Sequence, residues 1–164
     1  RTPLIIRPPK TDAFTPGRVS SALVQQADFL PTFCEIADAT PPEDIDGLSL
    51  LPVIRDADHQ PRAFLHGQID DQHMIHDGRY KFIYFTADGS ELLFDTREDP
   101  LDEHNLAASN PSETRRLREI LIERLTHLGH PDVSEGRLRN DGKGKRSLAE
   151  LRAADVDGWP PASD

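Results

Sequence analysis

Ligand-type side chains crowd one short stretch of the chain: His66, Asp70, Asp71, His73, His76 and Asp77 fall within a dozen residues. Imidazoles and carboxylates are the groups that zinc and related divalent ions bind. The spacing, however, is not that of a compact metal motif. Two neighbouring carboxylates in a turn and histidines scattered along strands are ordinarily solvated or satisfied locally, so no metal ligand is assigned here. His66 stands out within Leu65-His66-Gly67-Gln68, because the adjacent glycine permits close backbone approach to another group. On the residues alone it reads as a strand histidine. Cys34 falls beside Phe33 and Ile36 on a helical pattern and reads as a small buried apolar residue rather than a nucleophile. Ser20 and Ser21 lack a Gly-x-Ser-x-Gly elbow and a nearby base, and Gly17, Gly47, Gly78 and Gly89 do not form a phosphate-cradling loop. Taken residue by residue, the chain carries no catalytic constellation.

The elements that must position these groups follow from periodicity. Leu4-Ile5-Ile6 is a short apolar run closed by Pro8-Pro9, the pattern of a buried strand. After the turn at Thr15-Pro16-Gly17-Arg18, Asp28 is placed to accept hydrogen bonds from the amides of a following helix, with Pro31 in its first turn. Phe29, Phe33, Ile36 and Ala37 recur at helical spacing, which predicts a helix over 28–38 packed on the preceding strand. Between Ala63 and Asp95 the period changes to that of strands. Phe64 to Ile69, His73 to His76, Tyr80 to Thr86 and Leu92 to Phe94 are separated by Asp70-Asp71, Asp77-Gly78 and Asp88-Gly89, the residues that tight turns demand. This is an antiparallel meander whose third strand presents Tyr80, Phe82 and Tyr84 on one face and Lys81, Ile83 and Phe85 on the other. Asn110 then opens the clearest helix, with Pro111 at its first position, Glu113 completing a capping pattern and Leu117, Ile120, Leu121, Leu125 and Leu128 forming one stripe. Gly129 and Pro131 end it. Beyond His130 the composition turns polar and glycine-rich. One short helix is expected at Ser147 to Ala154, and the tail ending in Trp159-Pro160-Pro161 is expected either to drape over a neighbouring surface or to be partly disordered.

Composition narrows the partners. The chain has 164 residues, enough for one ordinary domain, and a formal net charge of -10, which argues against a nucleic-acid backbone as partner. The local basic cluster Lys143-Gly144-Lys145-Arg146 reads as a solvated loop. No apolar run approaches the roughly 20 residues of a membrane span, so the expectation is a soluble chain without a membrane partner. One cysteine forms no internal disulfide, which suits a reducing compartment and an unbridged secreted protein equally and leaves localisation open. The chain starts at Arg1 and runs directly into the apolar stretch at Leu4, with neither an initiator Met nor a polar lead-in, which suggests truncation.

The order of the segments resembles the sulfatases of the alkaline-phosphatase-like superfamily. Arg1-Thr2-Pro3-Leu4-Ile5-Ile6-Arg7 is similar to the Arg-Val-Pro-Leu-Ile strand that follows the catalytic half in that family, and Asp28-Phe29-Leu30-Pro31-Thr32 to its Asp-Leu-x-Pro-Thr helix. Gly47-Leu48-Ser49-Leu50-Leu51-Pro52 matches its Gly-x-Ser-Leu-Leu-Pro segment, and Asp77-Gly78-Arg79-Tyr80-Lys81-Phe82-Ile83 its Gly-Arg-Tyr-Lys-Tyr-Ile strand. Glu91-Leu92-Leu93-Phe94-Asp95, Asp99-Pro100 and Asn105-Leu106-Ala107 match Glu-Leu-Tyr-Asp-Leu, Asp-Pro and Asn-Leu-Ala. Each match is short; their shared order carries the resemblance.

The resemblance implies an α/β fold: the end of an alkaline-phosphatase-like mixed sheet over residues 1–60, a small four-stranded antiparallel sheet with a C-terminal helix over 61–130, and a polar tail over 131–164. It implies part of a hydrolase cleaving sulfate esters, or of a related phosphate or phosphonate ester hydrolase. A non-catalytic binding or interaction module is the competing reading. The family's nucleophile is a formylglycine made from the Cys or Ser of Cys/Ser-x-Pro/Ala-x-Arg, assisted by a divalent cation, usually calcium. Cys34 is followed at the relevant positions by Ile36 and Asp38, and Ser20, Ser21 and Ser49 also fail the pattern, so no catalytic or metal residue is carried over. Both cofactors are expected in an N-terminal catalytic part, which is the implied partner along with a sulfate-ester substrate. His66 and Gln68 are the residues expected to line the substrate pocket.

Overall fold

In the computed structural model, which describes residues 4–8 and 17–142, the chain forms two units, one running to Ala63 and one starting at Phe64. The first unit is organised around a buried carboxylate. Asp28 lies at the end of a 3-10 turn over Gln26–Asp28 and has no solvent exposure. Its carboxylate oxygens accept two hydrogen bonds from the Arg62 guanidinium, at 2.5 and 2.8 Å, and one each from the backbone amides of Gln25 and Leu48. Burial alone would raise the pKa of this group, but the donors around it outweigh that effect and hold it below 3.8. The sequence pattern had pointed to Asp28 as the cap of the next helix, α1 (Phe29–Ile36), but no side-chain cap bond is made. The fork-shaped guanidinium and the two long-range amides take the carboxylate instead.

One helical turn on, Thr32 donates to the Asp28 carbonyl oxygen and accepts from the Leu50 amide at 2.8 Å. Asp28 and Thr32 thus stitch the segment 47–50 to α1, and the short helix α2 (Leu51–Arg55) follows at once. Gly47 is required by this approach, because a Cβ there would lie 2.0 Å from the Ala27 carbonyl oxygen. Two expectations fail in this unit. Residues 4–8 form no strand and Ile5 is 91 % exposed, because no described segment of the unit offers a strand edge to pair with. The apolar stripe of α1 is likewise uncovered, with Phe33 64 % and Ile36 63 % exposed, rather than packed on a preceding strand.

The second unit is the predicted meander. Strands β1 (Leu65–Ile69), β2 (Gln72–His76), β3 (Tyr80–Phe85) and β4 (Glu91–Asp95) pair antiparallel in the order β1-β2-β3-β4. Asp70-Asp71 closes the first hairpin with Asp70 at φ +49°, and Gly78 at φ +95° lies in the second loop. Helix α3 (Pro111–His127) is capped by the Asn110 side chain, which accepts from the Glu113 amide. Its Leu117, Leu121 and Leu125 are fully buried against Ile75, Phe82, Tyr84 and Leu93, while Leu128 lies outside the stripe and is exposed. On the opposite face of the sheet Ile83, Phe85, Leu92 and Phe94 form a second cluster, so β3 is apolar on both sides. Asn105 finishes the free edge of β4: its side chain accepts from the Leu93 amide and donates to the Glu91 carbonyl.

Residues 131–142, read as the start of a polar tail, contain a hairpin of β5 (Val133–Ser134) and β6 (Arg137–Leu138), turned by Glu135 and Gly136 at positive φ. Val133 and Leu138 pack on the main core, and the Tyr84 hydroxyl donates to the Arg139 carbonyl. The expected helix at Ser147 to Ala154 and the Trp159 tail lie outside the described residues.

Replacing Arg62 by alanine strands the Asp28 carboxylate in the interior, at a cost of about 3–5 kcal/mol. The expected outcome is faster amide hydrogen exchange at Leu48 and Leu50. In the second unit, Leu121→Ala opens a cavity under the sheet and is expected to cost about 2–5 kcal/mol in urea unfolding.

Candidate functional site

Successive strand residues point to opposite faces, and the register decides which of the ligand-type side chains can meet. His66 lies opposite Ile75 and Gln68 opposite His73, so all four share the face that α3 covers. His73 and His76 are three apart on β2 and face opposite ways. The six clustered candidates therefore do not converge. His76 accepts from the Gly78 amide and lies 3.4 Å from the Thr96 hydroxyl. Asp77 accepts from the amides of Arg79 and Tyr80 and pairs with Arg116 of α3, which holds its carboxyl below 3.8 although burial works the other way. Asp70 and Asp71 stay in their turn, where the Asp71 carbonyl accepts from the Thr86 amide.

What the fold does assemble is a line of side chains at the β1–β2 edge. His66 Nε2 is 3.4 Å from His73 Nδ1, with the rings stacked at 5.7 Å, and His73 Nε2 is 2.8 Å from Asp132 Oδ2. His73 is wholly buried. Arg139 donates to Asp132 Oδ1, and His130 sits edge-on to the His73 ring at 5.1 Å. Burial pushes the Asp132 carboxyl up, but hydrogen bonds from His73 and Arg139 bring it below 3.8. Asp132 is thus an acceptor at neutral pH, so His73 Nε2 carries the proton between them, and His73 Nδ1 lies within hydrogen-bond distance of His66 Nε2. This relay fixes the orientation of a half-buried imidazole on the edge strand β1. Gln68, two residues along the same face, is exposed.

Sequence reasoning missed His130 and Asp132, which lie more than fifty residues from His73, and Arg139, which reaches the site through Asp132. The one local signal was His130-Pro131-Asp132 directly after the helix stop at Gly129. Cys34 is half-buried on α1, less enclosed than its pattern suggested. Ser20 donates to the Ala57 carbonyl, and Ser49 accepts from the Leu51 amide.

With this geometry in hand, the relatives are informative. Residues 1–130 match the family described as N-sulphoglucosamine sulphohydrolase, C-terminal. The chain is 32 % identical over 160 residues to the ulvan-active sulfatase of Formosa agariphila, a match covering 74 % of this chain and 31 % of that protein. It is 32 % identical over 169 residues to the N-acetylglucosamine-6-O-sulfatase of Bacteroides thetaiotaomicron, covering 93 % of this chain and 29 % of the relative. A solved structure in complex with its substrate D-glucosamine-2-N,6-O-disulfate superposes with a TM-score of 0.64 at 26 % identity, over 76 % of this chain and 28 % of the other. The chain therefore spans less than a third of the length of these curated relatives.

Asp77, which lies outside this line of side chains, offers a check on the electrostatics of the second unit. A carboxyl with a depressed pKa adds stability above its unfolded value, and that contribution is lost as pH falls through the folded value. The Asp77 carboxyl carbon is expected to titrate with a midpoint below 3.8 by NMR, and Arg116→Ala is expected to move that midpoint upward.

Proposed function

Because the chain belongs to the sulfatase family defined by the C-terminal region of N-sulphoglucosamine sulphohydrolase, we propose that it is the C-terminal part of a hydrolase that cleaves sulfate esters. The family match over residues 1–130 carries this reading. The ester is assigned to a sulfated saccharide, in keeping with the N-acetylglucosamine-6-O-sulfatase relative and the disulfated glucosamine complex.

The chemistry belongs to a preceding catalytic part. Formylglycine and a divalent cation, usually calcium, would supply the nucleophile and the charge stabilisation there. The residues described here do not fit either group. Cys34, Ser20, Ser21 and Ser49 lack the surrounding pattern, and among the described residues neither cluster with metal-ligand types is the all-oxygen set calcium prefers. The chain's exposed apolar elements, Leu4 to Ile6 and the Phe33–Ile36 face of α1, suit a segment completed by that catalytic part, with residues 4–6 pairing into its sheet.

The role of this segment at the pocket falls to β1. His66 and Gln68 would line the substrate site from the sheet edge, His66 donating or accepting through an imidazole oriented by His73 and Asp132. No helix of the described residues is long and apolar enough to cross a membrane.

The test is turnover by the product of the whole coding sequence, assayed on N-acetylglucosamine-6-sulfate, ulvan fragments, an aryl sulfate and a phosphonate monoester. Sulfate release is expected, with none from the 164-residue chain alone. His66→Ala and Gln68→Ala are each expected to raise KM roughly tenfold, the worth of one hydrogen bond of about 1–1.5 kcal/mol, with a smaller change in kcat. Hydrolysis of the phosphonate without any sulfate release would overturn the sulfatase reading.

A further inference from the structure

We propose that the chain binds one zinc-class divalent cation between His73 of β2 and His130 and Asp132, which follow α3. The inference rests on donor geometry and does not depend on the sulfatase reading. His73, His130 and Asp132 each offer a ligand atom, and the three atoms lie within 4.8 Å of one another. Asp132 Oδ2 is 2.8 Å from His73 Nε2 and 3.7 Å from His130 Nδ1. Ligand atoms around a tetrahedral zinc, each about 2.0–2.1 Å from the metal, are separated by about 3.3 Å, and both distances fall within about half an ångström of that. Two imidazoles and one carboxylate form a donor set suited to zinc, and unsuited to calcium or magnesium, which take mainly oxygen.

The surroundings supply the supports that a metal-binding histidine needs. His73 Nδ1 rests against His66 Nε2, a partner that can accept its proton and fix the ring. Arg139 holds Asp132 Oδ1 and leaves Oδ2 directed at the two imidazoles. The His73 and Asp132 side chains are 0 % and 7 % exposed, whereas His130 is 22 % exposed, so three ligands are fixed and the fourth position opens to solvent. On binding, the proton on His73 Nε2 moves to Nδ1 and is donated to His66, which then presents its unprotonated Nε2. His130 Nδ1 exchanges the Asp132 amide hydrogen bond for the metal. The Arg139 charge offsets that of Asp132, so a dissociation constant on the order of micromolar is expected rather than the tighter binding of a structural zinc. The other cluster of ligand types, Asp99, Glu103 and His104, is a solvent-facing loop whose Asp99 carboxylate accepts from the amides of Glu103 and His104.

Calorimetric titration of the chelator-treated full chain with zinc chloride tests the proposal. One equivalent of zinc is expected to bind, His130→Ala to weaken binding at least tenfold, and Glu103→Ala/His104→Ala to leave it unchanged. Nitrogen NMR of the unsubstituted chain reads the same site without a variant: zinc is expected to reverse the His73 tautomer and shift the His130 ring nitrogens, with His104 unmoved. Absence of saturable binding at millimolar zinc, or wild-type affinity in a folded His130→Ala chain, would overturn it, as would NMR shifts centred on His104.

Discussion

The leucine stripe of α3 against one face of the meander is the contact on which the second unit depends. Leu117, Leu121 and Leu125 are buried completely against Ile75, Phe82, Tyr84 and Leu93, and burying such side chains contributes about 1.5–3 kcal/mol each. Choosing that face settles the rest of the geometry. His66, Gln68 and His73 lie on the covered side because they share it with Ile75. A one-residue slip of β2 would turn all of them away. The helix also sets where the chain goes next: Gly129 takes the left-handed conformation that ends it, and His130 and Asp132 emerge beside His73.

In the first unit polar side chains do what apolar packing does in the second. Asp28, Thr32 and Arg62 tie the 3-10 turn, α1 and the segment 47–50 together by hydrogen bonds between elements 18–34 residues apart in sequence. Such an arrangement tolerates little change, since removal of any partner leaves a buried group unsatisfied. Several residues that carry the family resemblance are explained in this way without invoking catalysis. Asp28 and Thr32 are stitching groups, Gly47 is the point where two backbones touch, and Asn105 covers the edge of β4.

What was legible in the sequence was local. The four strands were readable because Asp70-Asp71, Asp77-Gly78 and Asp88-Gly89 punctuate a clear change of period, and α3 because Asn110, Pro111 and Gly129 mark its ends around one stripe. Leu4 to Ile6 and α1 were read correctly as apolar but assigned to packing that this chain does not provide. A pattern specifies that a face must be covered, not by what. Asp28 looked like a cap because the competing guanidinium comes from Arg62, 34 positions away. The β5–β6 hairpin has strands of two residues, too short for periodicity to register, and its neighbourhood holds the missed half of the histidine cluster. His66 was singled out for its adjacent glycine; its partners His73 and Asp132 are visible only once the sheet and the end of α3 are brought together.

We propose that a catalytic part of the same hydrolase completes this segment and covers the apolar surfaces left open here. Hydrogen–deuterium exchange, compared between the isolated chain and the product of the whole coding sequence, tests it most directly. Fast exchange of residues 4–8 and 29–36 is expected in the isolated chain and strong protection of both in the longer protein, since paired and buried amides exchange only through opening. Equal, rapid exchange in the two proteins would contradict it and leave these surfaces to some other partner.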